Sequence, residues 1–231
     1  MMNSLLRGIR LILFDLDGTI VDSEDFIVWS FVEAGRLTGI RVDPLKVREL
    51  IGFPLESILE AVVGTGLSRE DAARFIEVRR KLVQENWFKH VRLFPDVIPV
   101  LRQLSSTGYM LGVASSSIRE RVELFLSHLG VSGYFKVVSG LEPGVKGKPE
   151  PDVIVNALKA AGVPRSEALY VGDRMVDCIA ARRAGVKVVI VDRGSVNRWK
   201  QEECVPDAWI SSLLELVDDA STPTREATRH D

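Results

Sequence analysis

Four short apolar runs punctuate the chain: Leu11 to Phe14, Met110 to Ala114, Leu169 to Val171 and Val188 to Val191. None alternates with polar residues, and a strand covered on both faces shows such a continuous run. Val137 to Val138 is a fifth, weaker candidate. Between the runs, apolar residues recur with a helical period over Val97 to Leu104, Arg119 to Leu129, Asp152 to Ala161 and Val176 to Ala184. Gly108, Gly130, Gly162 and Gly185 follow these segments, where C-cap glycines belong. Strands alternating with helices predict an α/β class: an open, Rossmann-like parallel sheet with right-handed crossovers.

The pattern changes between Asp22 and about Leu93. No strand-like run occurs there, and helical periods are broken at Gly39, Pro44, Gly52, Pro54 and Gly64 to Gly66. Ser68 to Phe88 reads as one long amphipathic helix with Ser68 as its N-cap. The expected organisation is an α/β core of residues 1–21 and 94–219, an all-helical insert of residues 22–93, and a polar tail of residues 220–231. There is no internal repeat and no low-complexity linker.

Composition narrows the partners. A chain of 231 residues with 46% apolar residues can bury a large core, and a net charge of -2 steers neither nucleic acid nor a membrane surface. The apolar stretch from Ile9 is interrupted by Arg10 and ends at Asp15, too short for a signal-peptide core or a membrane span. The two cysteines, Cys178 and Cys204, suggest no disulfide framework, and the expected setting is cytoplasmic. Nothing in the pattern fixes an oligomeric state.

In an open α/β sheet, ligands collect at the carboxyl ends of the strands. The first predicted strand runs into Asp15-Leu16-Asp17-Gly18-Thr19, and the second into Ser115-Ser116-Ser117. Lys146-Gly147-Lys148-Pro149 follows the weak strand, and Gly172-Asp173 ends the next, with Asp177 one helical turn on. Carboxylate oxygens suit a hard ion such as Mg2+, and hydroxyls with a lysine suit an anion. Each feature alone has an ordinary reading as a turn, a helix cap or a solvated loop. Their order at successive strand ends points instead to phosphoryl transfer, which needs little beyond positioning and charge neutralisation.

These residues carry a resemblance. Asp15-Leu16-Asp17-Gly18-Thr19 resembles motif one of the haloacid-dehalogenase-like (HAD) superfamily, and Val113-Ala114-Ser115-Ser116-Ser117 is similar to motif two. Gly147-Lys148-Pro149-Glu150-Pro151-Asp152 resembles motif three. Gly172-Asp173-Arg174-Met175-Val176-Asp177, with Ala180, Ala184 and Gly185, resembles motif four. The helical insert is similar to the C1 cap of the phosphoglycolate phosphatase and β-phosphoglucomutase branch. The resemblance implies Asp15 as nucleophile and metal ligand, and Asp17 as general acid/base whose backbone carbonyl also touches the metal. It further implies Ser115, Lys148 and the Ser116 amide as phosphate ligands, Asp173 as a metal ligand, and Asp177 as a further ligand or a carboxylate supporting one. Arg174 stands where many members carry serine or a second acid.

The implied activity is Mg2+-dependent hydrolysis of a small phosphorylated metabolite through an aspartyl-phosphate. Phosphoglycolate leads, followed by sugar phosphates and pyrophosphate. Asp17 argues against dehalogenation, whose ester intermediate needs no acid there. Ile27, at the position of the mutase cap histidine, argues against β-phosphoglucomutase-like transfer. A Schiff-base lysine would have to be Lys46, Lys81 or Lys89, which read as solvated positions. The loop Ile51-Gly52-Phe53-Pro54-Leu55 is either a specificity loop over the site or a helix-breaking turn. Arg119 reads first as a surface arginine, with a contact to a distal anion as the alternative. Mutase chemistry and a non-catalytic binding module stay as the other readings.

Overall fold

The computed structural model describes residues 5–63, 67–194 and 204–218. The chain opens with β1 (Leu11–Phe14) and β2 (Val21–Asp22). Four helices follow: α1 (Glu24–Thr38), α2 (Pro44–Leu50), α3 (Leu55–Val63) and α4 (Arg69–His90). Then come β3 (Arg92–Leu93), α5 (Val97–Ser106), β4 (Met110–Ile118), α6 (Arg119–His128) and β5 (Phe135–Leu141). The remainder is α7 (Asp152–Ala161), β6 (Ala168–Gly172), α8 (Met175–Ala184), β7 (Lys187–Val191), β8 (Ala208–Ile210) and α9 (Glu215–Asp218).

Six strands form one sheet in the order β5-β4-β1-β6-β7-β8, with parallel neighbours throughout. β1 shows why its sequence is apolar at every position. Successive side chains point to opposite faces, so Ile12 and Phe14 enter one hydrophobic cluster while Leu11 and Leu13 enter the other. The first cluster takes Val100 and Leu101 of α5 with Val122 and Phe125 of α6; the second takes Val153 and Ile154 of α7 with Ala181 of α8. Helices therefore cover both faces, and the sheet is an α/β, Rossmann-like one.

Helices α1 to α4 bury a third cluster of their own, including Phe31, Val47, Ile58 and Phe75. The Phe31 and Phe75 rings lie 6.0 Å apart. Ser68 caps α4, its Oγ accepting from the Asp71 backbone N–H at 3.0 Å. The chain enters and leaves this helical segment through the antiparallel pair β2–β3, where Val21 faces Leu93.

The structure departs from the sequence-based expectation at several points. β4 continues through the three serines to Ile118, and β5 extends well beyond Val137 and Val138. The pair β2–β3 and the edge strand β8 were not foreseen. Cys178 of α8 and Cys204 are joined in a disulfide, correcting the expectation of unpaired cysteines and removing the cysteine-based argument for a cytoplasmic setting. Gly64 to Gly66 and the polar segment from Ala220 lie outside the described residues. Among the described residues, no helix is long and apolar enough to cross a membrane.

Candidate active site

Asp15 follows β1 directly, its N–H donating to the Val171 carbonyl of β6 at 2.8 Å. That bond extends the β1–β6 ladder by one residue and fixes the carboxylate at the carboxyl edge of the sheet. The chain then curls: the Val21 N–H donates to Leu16 O at 2.8 Å, and the Gly18 N–H to Val21 O at 2.8 Å. Gly18 has φ +85°, and a Cβ there would overlap the Asp173 carboxylate. No other residue fits so tight a left-handed turn. Gly18→Ala is therefore expected to lower stability by about 1 kcal/mol or more. A thermal melt checks this, and an unchanged midpoint would mean that the loop can yield.

The curl separates the two aspartates of the first strand end. Asp15 is buried beside Asp173 and Asp177, and one ligand oxygen from each of the three lies within 4.8 Å of the others. The Asp17 side chain turns elsewhere. It accepts from Ser23 Oγ at 2.5 Å and Ser117 Oγ at 3.2 Å, and Arg121 Nη2 approaches at 3.6 Å. Thr19 Oγ1 donates to Asp173 Oδ1 at 3.1 Å.

Lys148 is completely buried among these carboxylates. Its Nζ lies 2.5 Å from Asp177 Oδ1 and 2.7 Å from Asp15 Oδ1, the latter contact lacking hydrogen-bond geometry. The Tyr170 hydroxyl, 3.3 Å from Nζ, donates to the Ala114 carbonyl at 2.8 Å. Ser116 Oγ accepts from the Lys148 N–H at 2.9 Å, so that hydroxyl positions the lysine loop. Ser115 is buried at the same strand end, and its Oγ accepts from the Ser117 N–H at 3.2 Å.

Asp177 is saturated by protein donors. Its Oδ2 accepts from the Asp173 and Arg174 N–H groups at 3.1 and 2.9 Å, while Oδ1 faces Lys148. It thereby fixes the loop that carries Asp173. Arg174 spans from core to insert: Nε lies 3.1 Å from Asp173 Oδ2, Nη1 donates to the Arg48 carbonyl at 2.9 Å, and Nη2 meets Glu24 Oε2 at 2.6 Å. Glu24 also pairs with Arg48.

Burial dominates the electrostatics. Desolvation raises the Asp15 carboxyl well above the ordinary carboxylate range, against the attraction of Lys148. Desolvation likewise pushes Asp173 up to about 7, with Arg174 opposing it. Burial disfavours the charge on Lys148, but Asp15 and Asp177 more than offset it and raise its affinity for a proton. The three buried carboxylates face the Lys148 ammonium and the Arg174 guanidinium, and Arg174 is shared with Glu24, so negative charge remains for a cation to offset. Their oxygen-only donors fit a hard divalent ion such as Mg2+.

Asp15, Asp17, Ser115, Ser116 and Lys148 all border one cavity of about 520 Å3 between the strand ends of the sheet and the helices α1, α3 and α4. Ile51, Gly52, Phe53 and Leu55 line it too, so the loop after α2 faces the site and is not merely a turn. Ile27 borders it in place of a histidine. Lys46, Lys81 and Lys89 are exposed and do not line it. Arg119 does not reach it either: it is exposed and paired with Glu123 at 2.9 Å and Glu142 at 3.1 Å. This matches the reading of Arg119 as a surface arginine, not as a contact to a distal anion.

Sequence reasoning missed Ser23, Tyr170, Arg121 and Arg79, and named Ser117 without giving it a role. A signal for Arg79 existed. Phe75, Arg79, Val83 and Trp87 follow one another every four residues along one face of α4, so an arginine occupies a place in an apolar stripe.

A family model described as haloacid dehalogenase-like hydrolase matches residues 12–191. A phosphoglycolate phosphatase of Aquifex aeolicus is 32% identical over 209 residues, covering 90% of this chain and 95% of that protein. A pyrophosphatase of Bacillus velezensis is 29% identical over 211 residues, covering 91% of this chain and 96% of its own. A solved structure of a haloacid dehalogenase-like family protein from Streptococcus pneumoniae superposes with a TM-score of 0.80 at 26% identity, covering 92% of this chain and 98% of that one. Matched by the family model over most of its length and by a relative at 32% identity nearly end to end, the chain belongs to the haloacid dehalogenase-like hydrolases.

Proposed function

We propose that this enzyme is a Mg2+-dependent phosphatase that hydrolyses a small phosphomonoester through an aspartyl-phosphate on Asp15. One observation carries the reading: the Asp15 carboxylate, held against Lys148 at 2.7 Å, borders the cavity together with Asp17, which is fixed by Ser23 and Ser117. Residues 22–93 are taken as a cap domain over a core of residues 1–21 and 94–219.

In the first step an Asp15 oxygen attacks phosphorus as the ester P–O bond breaks. Asp17 delivers its proton to the departing alkoxide, so a neutral alcohol leaves. In the second step Asp17 takes a proton from water, the water oxygen attacks phosphorus, and the acyl-phosphate bond breaks to return the Asp15 carboxylate and inorganic phosphate. Lys148 and the Ser115 hydroxyl neutralise and orient the transferring group, with the Ser116 amide beside them. Asp15, Asp173 and the Asp17 carbonyl would hold Mg2+, with Asp177 supporting the Asp173 loop; the ion supplies further charge neutralisation at phosphorus. The support for Asp17 as the acid/base is its two hydroxyl partners, which hold its carboxylate apart from the Asp15–Asp173 cluster.

Inorganic phosphate release from 4-nitrophenyl phosphate tests the proposal. EDTA is expected to lower the rate by about a hundredfold or more, and added Mg2+ to restore it. Turnover indifferent to both reagents would remove the metal, and no turnover of any phosphate ester would remove the phosphatase reading.

A further inference from the structure

The cavity beside Asp15 is walled mainly by apolar side chains, among them Phe31, Ile51, Phe53, Val83 and Trp87. Into that wall α4 inserts a cation. Arg79 is only 7% exposed, and its guanidinium carbon stands 4.2 Å from the centre of the Phe31 ring. Among the described residues it has no hydrogen bond and no carboxylate partner, and its Nε is buried without an acceptor. Arg121 of α6 borders the same cavity. It stacks on Phe125 at 4.8 Å and lies 3.6 Å from Asp17, with Nε and Nη2 free of hydrogen bonds.

A buried guanidinium without a counter-ion is costly. Burial, then the neighbouring charge of Arg121, brings the Arg79 pKa down to about 9, against a weaker attraction from Asp17. Of the acidic side chains bordering the cavity, Glu56 and Glu120 are exposed and pair with neither arginine, while Asp17 faces Arg121 at 3.6 Å and lies beyond ion-pair distance of Arg79. Two forked cations facing open space beside the reacting groups suit a planar or tetrahedral anion. The apolar remainder of the wall suits a carbon skeleton. At about 520 Å3 the cavity falls within the range of about 300–1,000 Å3 that holds drug-sized ligands. A two-carbon acid would leave most of that wall uncovered.

We propose that Arg79 and Arg121 bind a second anionic group on the leaving alcohol, so that the substrates are phosphomonoesters of alcohols with an apolar body and an acidic end. This rests on the phosphatase reading for the fate of the ester, but not for the recognition of the acid. The leaving group departs as its neutral alcohol, as above, with its second anion still on the arginines.

The test uses the full chain carrying Asp15→Asn, with Mg2+, so that ester binding is read without turnover. Two isosteric probes are compared by calorimetry: 4-carboxyphenyl phosphate and its uncharged analogue 4-carbamoylphenyl phosphate. The acid is expected to bind about tenfold or more tightly than the amide, as charge-assisted hydrogen bonds provide. Adding Arg79→Gln should bring that ratio close to one, while Arg79→Lys should keep part of it. If Arg79→Gln does not fold, Arg121→Gln reads the same ratio. A third probe, 1,4-phenylene bisphosphate, assigns the second group: tighter binding than the carboxylate favours phosphate, weaker binding favours carboxylate, and both require affinity above the amide. Equal binding of acid and amide, or a ratio that survives loss of the arginine, overturns the inference. If the parent protein hydrolyses neither ester while the acid preference stands, the phosphatase reading fails and this one holds.

Discussion

Replacing Asp15 with asparagine is expected to slow phosphate release by about a thousandfold or more without unfolding the protein, because it removes the proposed nucleophile and one charge of the proposed metal site while keeping the side chain's size. The amide has the size of the carboxylate, so the packing at the end of β1 is retained. The backbone bond from the residue 15 N–H to Val171 does not depend on the side chain. Electrostatically the change is not all loss. The Asp15 charge is disfavoured first by burial, and Asp177 and Asp173 add repulsion; Lys148 opposes both. With asparagine in place, Lys148 keeps Asp177 at 2.5 Å as its counter-charge. Thermal melts of parent and variant should therefore lie close together while phosphate release separates them widely. A variant that turns over ester at the parental rate would falsify the nucleophile assignment.

Lys148→Met should produce the largest loss of stability of any single change at the site. The methionine fits the volume but leaves Asp15, Asp173 and Asp177 with no buried ammonium among them. Removing one member of a buried ion pair commonly costs about 3–5 kcal/mol. For a chain of this size that is a fall in melting temperature of roughly 6–20 °C. Mg2+ should recover part of the fall, since an ion bound only by the folded state stabilises it by mass action. The check is a pair of melts, in EDTA and in Mg2+. A midpoint unmoved in EDTA would show that the lysine does not compensate these carboxylates.

What could be read from the chain follows from how local its cause is. β1 was visible because both its faces are covered, which forces Leu11-Ile12-Leu13-Phe14 to be apolar throughout. The Ser68 cap was visible because its acceptor bond to Asp71 spans three residues. The pair β2–β3 was not, since two-residue strands carry no period. β8 is three residues long with Trp209 exposed, and looks like loop. The disulfide joins a helix to a segment 26 residues on, which only tertiary closure brings together. At the site, spacing could nominate Asp15, Lys148 and Asp173 from their strand ends. It could not show that the serine hydroxyls belong to Asp17 and to the Lys148 loop, because those bonds join elements distant in sequence. Arg79 was hidden differently: α4 is so rich in charge that one more arginine did not stand out, although its face was apolar.

The position of β1 has a consequence for how the enzyme is made. This strand is made well before its neighbours in the sheet, which are β4, beginning at Met110, and β6, beginning at Ala168. The helical segment from Glu24 to His90 has its own buried cluster and is free to condense early. Leu11 to Phe14 must meanwhile remain unpaired until β4 has been made, and the other edge of the strand stays open until synthesis has passed Gly172. Pairing over such separations is slow. A nascent chain truncated before β6 would thus hold Asp15, the proposed nucleophile, at the open edge of a half-built β5-β4-β1 sheet, lacking Asp173 and Asp177, and activity would arise only after β6 and the helix behind it have been made.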